Sequence, residues 1–159
     1  MKSAVRFRTA VILASLVAGI SLANAAAPVM INGWRYIDGP HDLHVYVCDR
    51  SDCVKGSRVI CHFDPPNSAP FPGVSKKYEA IVSEMLGEPG KTFSPSALDL
   101  ATGRTRSIAT LSDGSKAYYV SGDVVGPNWQ AWLSSSSSDE KTSEENLGTF
   151  EYALKGAKN

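Results

Sequence analysis

All three histidines and all three cysteines of the 159-residue chain fall within residues 41–63, HDLHVYVCDRSDCVKGSRVICHF, so ligand or redox chemistry would concentrate there. Imidazole nitrogen and thiolate sulfur are the donors that zinc and copper favour, and His44, His62 and a cysteine could supply them. The spacing argues for a different bond. Cys48 and Cys53 form Cys-x4-Cys, which is not a usual zinc spacing, and cysteines in an oxidising compartment pair with each other. A chain reversal through Asp49, Arg50, Ser51 and Asp52 can bring the two Cα atoms within the ~4.4–6.8 Å that a disulfide needs. The expectation is therefore a Cys48–Cys53 disulfide, with no metal and no cofactor.

Two runs of strand-forming residues, 43–48 and 57–63, must position these groups. They flank a polar segment containing Asp, Ser and Gly, so the stretch reads as a β-hairpin with a long loop. Burying the apolar residues of both strands together puts Leu43, Val45, Val47, Val59, Cys61 and Phe63 on one face. His44, Tyr46, Cys48, Arg58, Ile60 and His62 then share the other. On that register Cys61 is a core thiol turned away from Cys48 and Cys53, and His44 and His62 are near cross-strand neighbours.

Compartment is read from residues 1–25. Lys2, Arg6 and Arg8 give a cationic start, residues 10–22 are apolar and uncharged, and Ala23-Asn24-Ala25 is a small-x-small cleavage site. The apolar run is short for a membrane span, no cysteine stands at the cleavage point, and Phe7 separates the two arginines. Cleavage after Ala25 is expected to release a single domain, residues 26–159, to the periplasm or beyond without a stable membrane anchor. The full chain has 16 basic and 16 acidic side chains, and losing three basic ones leaves a net charge of about −3. Such a surface suits neither nucleic acid nor anionic lipid.

The rest of the domain supplies the other elements. Residues 28–40 carry Val29, Ile31, Trp34, Tyr36 and Ile37 around the turn-forming Asn32-Gly33. Four prolines in residues 64–73 mark a connecting loop. From residue 75 to 86, Tyr78, Ile81, Val82, Met85 and Leu86 recur with helical spacing, leaving Lys76, Lys77, Glu79, Ser83 and Glu84 outward, and Gly87 ends the helix. Residues 91–100 are ambiguous, and Ala101-Thr102-Gly103 reads as a turn. Runs at 105–111, 116–123 and 128–135, the first two joined by an Asp113-Gly114 turn, read as a meander. A second helix follows with Leu147, Phe150, Ala153 and Leu154 inward, acidic residues at its start and Lys155 and Lys158 at its end. The fold class is α+β: an antiparallel sheet of about six strands with two main helices packed on it.

The closing pattern, NWQAWLSSSSS running into DEKTSEENLGTFEYAL, resembles the end of PsbP-like domains and related small bacterial periplasmic proteins. The resemblance spans about 30 residues and implies a helix-flanked antiparallel sheet. Members of that group are commonly non-enzymatic binding or accessory proteins, so no catalytic residue is carried onto this chain.

Several segments imitate catalytic motifs. Residues 87–92, GEPGKT, lack the first glycine of a phosphate-binding loop, where Met85 stands, and they follow a helix where the motif needs a strand. Ser138-Asp139-Glu140-Lys141 matches the Ser-x-x-Lys of penicillin-binding enzymes without its companion motifs, and helix capping explains it. Trp34, Trp129 and Trp132 read as core aromatics before they read as a sugar platform. Glu144 and Glu145, adjacent on a helix, point to different parts of a solvated surface. The expected function is an exported accessory or binding protein of the bacterial cell envelope, including inhibitor or immunity-like roles, with another envelope protein or a small ligand as partner. The alternative is a small periplasmic hydrolase with a dispersed site. A pocket that joins Ser, His and a carboxylate by hydrogen bonds would favour the enzyme; a largely apolar exposed patch on the sheet without such a group would favour binding.

Overall fold

A computed structural model describes residues 29–69 and 75–157, so the leader expected at residues 1–25 lies outside the described residues. The chain runs β1 (Trp34–Asp38), β2 (Leu43–Cys48), β3 (Arg58–Asp64), α1 (Lys76–Leu86), β4 (Lys91–Phe93), β5 (Ala97–Asp99), β6 (Arg104–Leu111), β7 (Lys116–Val125), β8 (Gln130–Ser137) and α2 (Glu140–Ala157). All strand pairs are antiparallel, in the order β1-β2-β3-β8-β7-β6-β4, with β5 also on β6. The fold is α+β with two helices on one sheet, and no helix of the described residues is long and apolar enough to cross a membrane.

The sheet has eight strands where about six are expected. The additional pair, β4 and β5, are three residues each and fill the ambiguous span at 91–100. Pro95 cannot donate to a ladder, so the strand breaks there. Ser94 bridges the break: its N–H donates to the Ile108 carbonyl at 2.8 Å, and its hydroxyl accepts from the Ile108 N–H at 2.9 Å.

Helices cover both faces. Beneath α2 lie Trp34, Tyr46, Val59, Cys61, Val120, Val124, Ala131 and Leu133, closed by Leu147, Phe150 and Leu154. Beneath α1 lie Leu43, Val45, Ile60 and Trp132, closed by Val82. This arrangement corrects the hairpin register read from sequence. Leu43 stands opposite His62, Val45 opposite Ile60 and Val47 opposite Arg58, while His44 faces Cys61 and Tyr46 faces Val59. Cross-strand partners share a face, so β3 is turned over relative to the expected pairing. A sheet covered on both sides can be apolar on both sides, and the one-buried-face argument then no longer selects a register.

Ser75 caps α1 by accepting from the Tyr78 N–H at 3.3 Å. Gly87, at φ 62°, ends it; the Gly87 N–H donates to the Glu84 carbonyl and the Glu88 N–H to that of Ser83. A side chain at that φ is strained, which is why glycine stands there. Val82 is fully buried as the stripe requires, but Met85 is 36% exposed and Glu79, expected outward, is 2% exposed. The Asp139 carboxylate caps α2, accepting from the Thr142 N–H at 2.8 Å. Small residues let α2 sit close: Ser135 and Gly122 lie under it, and Ser143 Oγ bonds Ser137 Oγ at 2.9 Å and donates to the Tyr118 carbonyl at 2.8 Å. Glu145 stays on the solvated side, whereas Glu144 pairs with Arg104 and Arg106 of β6 and pins α2 to the sheet.

Candidate functional site

Alternation along β3 places His62 and Asp64 on the α1 side of the sheet, and the facing register on β8 sets Trp132 opposite His62. The first turn of α1 brings Ser75, Lys76, Lys77 and Tyr78 over them. These seven residues line a cavity of about 390 Å³, within the size range of small-molecule sites. His62 Nδ1 lies 3.2 Å from Asp64 Oδ1. A carboxylate only accepts, so Nδ1 carries the proton and Nε2 is the acceptor nitrogen of the neutral ring. The imidazole stacks on Tyr78, centroids 5.1 Å apart at 27°, and Tyr78 meets Trp132 at 5.8 Å and 49°. Burial and then the Asp64 charge push the Tyr78 phenol above its ordinary range, which keeps it protonated.

A second cluster holds α1 in place. Arg58 of β3 is 3% exposed; its Nη2 donates to Glu79 and, at 2.9 Å, to the Tyr119 hydroxyl, and its Nη1 donates to Glu88. Lys91 of β4 bonds Glu88 and, at 3.2 Å, the Tyr119 hydroxyl, and lies 4.0 Å from Glu79. One guanidinium thus gathers carboxylates from both ends of α1, and two cations balance two anions. Burial pushes the Glu79 carboxyl up, opposed by Arg58 and Lys91. Burial also acts on Glu88, but Arg58 and Lys91 outweigh it and hold that carboxyl below its ordinary range. Packed between helix and sheet, these groups fasten α1.

The residues singled out in the sequence divide between these places. Cys48 and Cys53 are joined by a disulfide with Cα atoms 6.0 Å apart. Cys61 stays outside that bond and is buried, but on the same sheet face as Cys48; distance along the strands, not an opposite face, separates them. His44 and His62 lie on opposite faces, which removes the two-histidine site, and no group of three His, Cys, Asp or Glu side chains among the described residues is placed to hold a metal. His44 instead stacks on Tyr36 at 5.9 Å, with Nδ1 3.0 Å from the Tyr36 hydroxyl. Trp34 and Trp132 are buried and Trp129 packs partly on the core. Sequence reasoning missed Arg58 with Glu79, and His62 with Asp64. The i, i+2 spacing of His62 and Asp64 on a strand puts them on one face and was the available signal.

The disulfide closes a small loop, so the Cys48→Ala, Cys53→Ala double variant is expected to lose only about 2 kcal/mol. Urea unfolding measures this, and a loss above about 4 kcal/mol would show that the bond does more than restrict the loop. No protein-family model matches the chain, and no curated protein matches it.

Proposed function

We propose that the protein is an exported binding or accessory protein of the bacterial cell envelope, and that the cavity beside α1 is its ligand seat. The observation that carries this reading is the wall of that cavity: His62 and Tyr78 supply aromatic surface backed by the buried Trp132, with Ser75, Asp64 and two lysines as the other polar groups. An apolar seat with few polar groups is what a binding site requires. The PsbP-like pattern of the closing strand and helix fits an accessory role of the same kind.

A second reading, a small periplasmic hydrolase, is favoured by one observation. Ser75, His62 and Asp64 line the same cavity and the His–Asp contact is made. Against it, the Ser75 hydroxyl accepts the Tyr78 N–H as the helix cap, and no hydrogen bond joins it to His62 among the described residues. A nucleophile needs that bond to its base.

Intact-mass analysis separates the readings. The exported protein is expected to begin at Ala26, to take up no covalent label from a fluorophosphonate, and to carry a non-covalently retained small molecule in native spectra. A label on Ser75 that disappears in Ser75→Ala would replace the binding reading with the hydrolase. An intact Met1 would remove export.

A further inference from the structure

We propose that the cavity beside α1 selects a planar aromatic acid bearing a ring hydroxyl. The inference rests on the reading of this cavity as the ligand seat and names the chemistry it accepts. With Nδ1 committed to Asp64 at 3.2 Å, the neutral His62 ring offers Nε2 as an acceptor, and no described residue bonds to that atom. A ligand that enters with a hydroxyl donor satisfies this nitrogen; one without a donor leaves it desolvated and unpaired, which costs affinity.

The walls select the body of the ligand. His62 and Tyr78 stack on each other and Tyr78 leans on the buried Trp132, so the aromatic wall open to a ligand is the part of the His62–Tyr78 pair turned away from that stack. Flat aromatic rings pack on such surfaces at centroid distances of about 4.5–7 Å, whereas a puckered saturated ring loses both the fit and the quadrupole contact. The volume of about 390 Å³ holds one small molecule. Charge selects the remaining substituent. Lys76 and Lys77 are exposed at the first two positions of α1, and their two positive charges outnumber the single negative charge of Asp64, the carboxylate that lines the cavity among the described residues. An acid group is therefore attracted and an ammonium group repelled.

Titration calorimetry of the exported protein with four probes tests this: 4-hydroxybenzoate, benzoate, 4-hydroxycyclohexanecarboxylate and tyramine. 4-Hydroxybenzoate is expected to bind at least tenfold more tightly than each of the others and to quench Trp132. In His62→Phe, which keeps a ring and removes the acceptor, the advantage of 4-hydroxybenzoate over benzoate is expected to vanish while benzoate binding persists. Should that variant fail to fold, His62→Leu serves, because it removes the same acceptor and should lower the same ratio. Equal affinity for the saturated and aromatic acids, or a preference for tyramine, would overturn the inference. A fragment screen followed by tryptophan side-chain NMR separates the two levels of the argument. Fragments of other chemistry that shift Trp132 while all four probes are silent overturn the ligand class alone, and silence of every fragment removes the ligand seat with it.

Discussion

Replacing Glu79 by alanine is expected to cost about 3–5 kcal/mol, because it leaves the Arg58 guanidinium buried with only part of its charge compensated. Arg58 is 3% and Glu79 2% exposed, so water cannot take the place of the lost carboxylate. A domain of this size has a total stability of about 5–15 kcal/mol, and the variant should therefore unfold at low urea. Glu84→Ala, on the exposed side of the same helix, is the control and should stay within about 0.5 kcal/mol. The double variant Arg58→Met, Glu79→Leu should recover much of the loss, since well-packed apolar residues can replace a buried ion pair. A Glu79→Ala protein as stable as Glu84→Ala would show that α1 does not rest on this pair.

The two carboxylates of that cluster respond to pH with opposite sign. Burial raises the Glu79 carboxyl, so its contribution to stability is present in acid and is lost as the pH rises through its folded-state value. Glu88 is held low by Arg58 and Lys91 despite burial, so its contribution is present above the ordinary carboxylate range and is lost as the pH falls through its folded-state value. The stability of the unmodified protein relative to Glu79→Gln should therefore decline from acid towards neutral pH, and relative to Glu88→Gln it should rise. Parallel urea curves across that range measure both slopes.

These charges mark the limit of what the sequence could disclose. The disulfide was legible because Cys48 and Cys53 are five residues apart and their pairing depends on local chain reversal alone. The helix at 76–86 and the inward set Leu147, Phe150 and Leu154 were legible from helical spacing. The hairpin register was not, because helices cover both faces of the sheet and alternation loses its reference. Glu79 looked outward since a carboxylate is normally solvated; its partner lies 21 residues away in β3, and β4 and β7 complete the cluster. His62 and Asp64 could be placed together, but Tyr78 and Trp132 reach them only through α1 and β8, whose docking no local pattern encodes.

Phe150→Ala is the substitution expected to test the opposite face most severely. Phe150 is 1% exposed and closes the α2 core, its ring meeting Trp34 edge-on at 4.9 Å and Tyr46 at 4.8 Å. Removing the ring deletes its transfer free energy and leaves a cavity that the surrounding core fills only in part, for a loss of about 3–5 kcal/mol. Tyr152, two residues on and 82% exposed, supplies the control, and its alanine variant should lie within about 0.5 kcal/mol of the parent. A double-mutant cycle with Trp34→Leu should reveal coupling of about 0.5–1.5 kcal/mol, the share that belongs to the ring pair itself. Unlike the Glu79 effect, this loss involves no titrating group and should be constant between acid and neutral pH. A cost below about 1 kcal/mol, or no coupling to Trp34, would mean that α2 does not close over β1 and β2 in the way these contacts require.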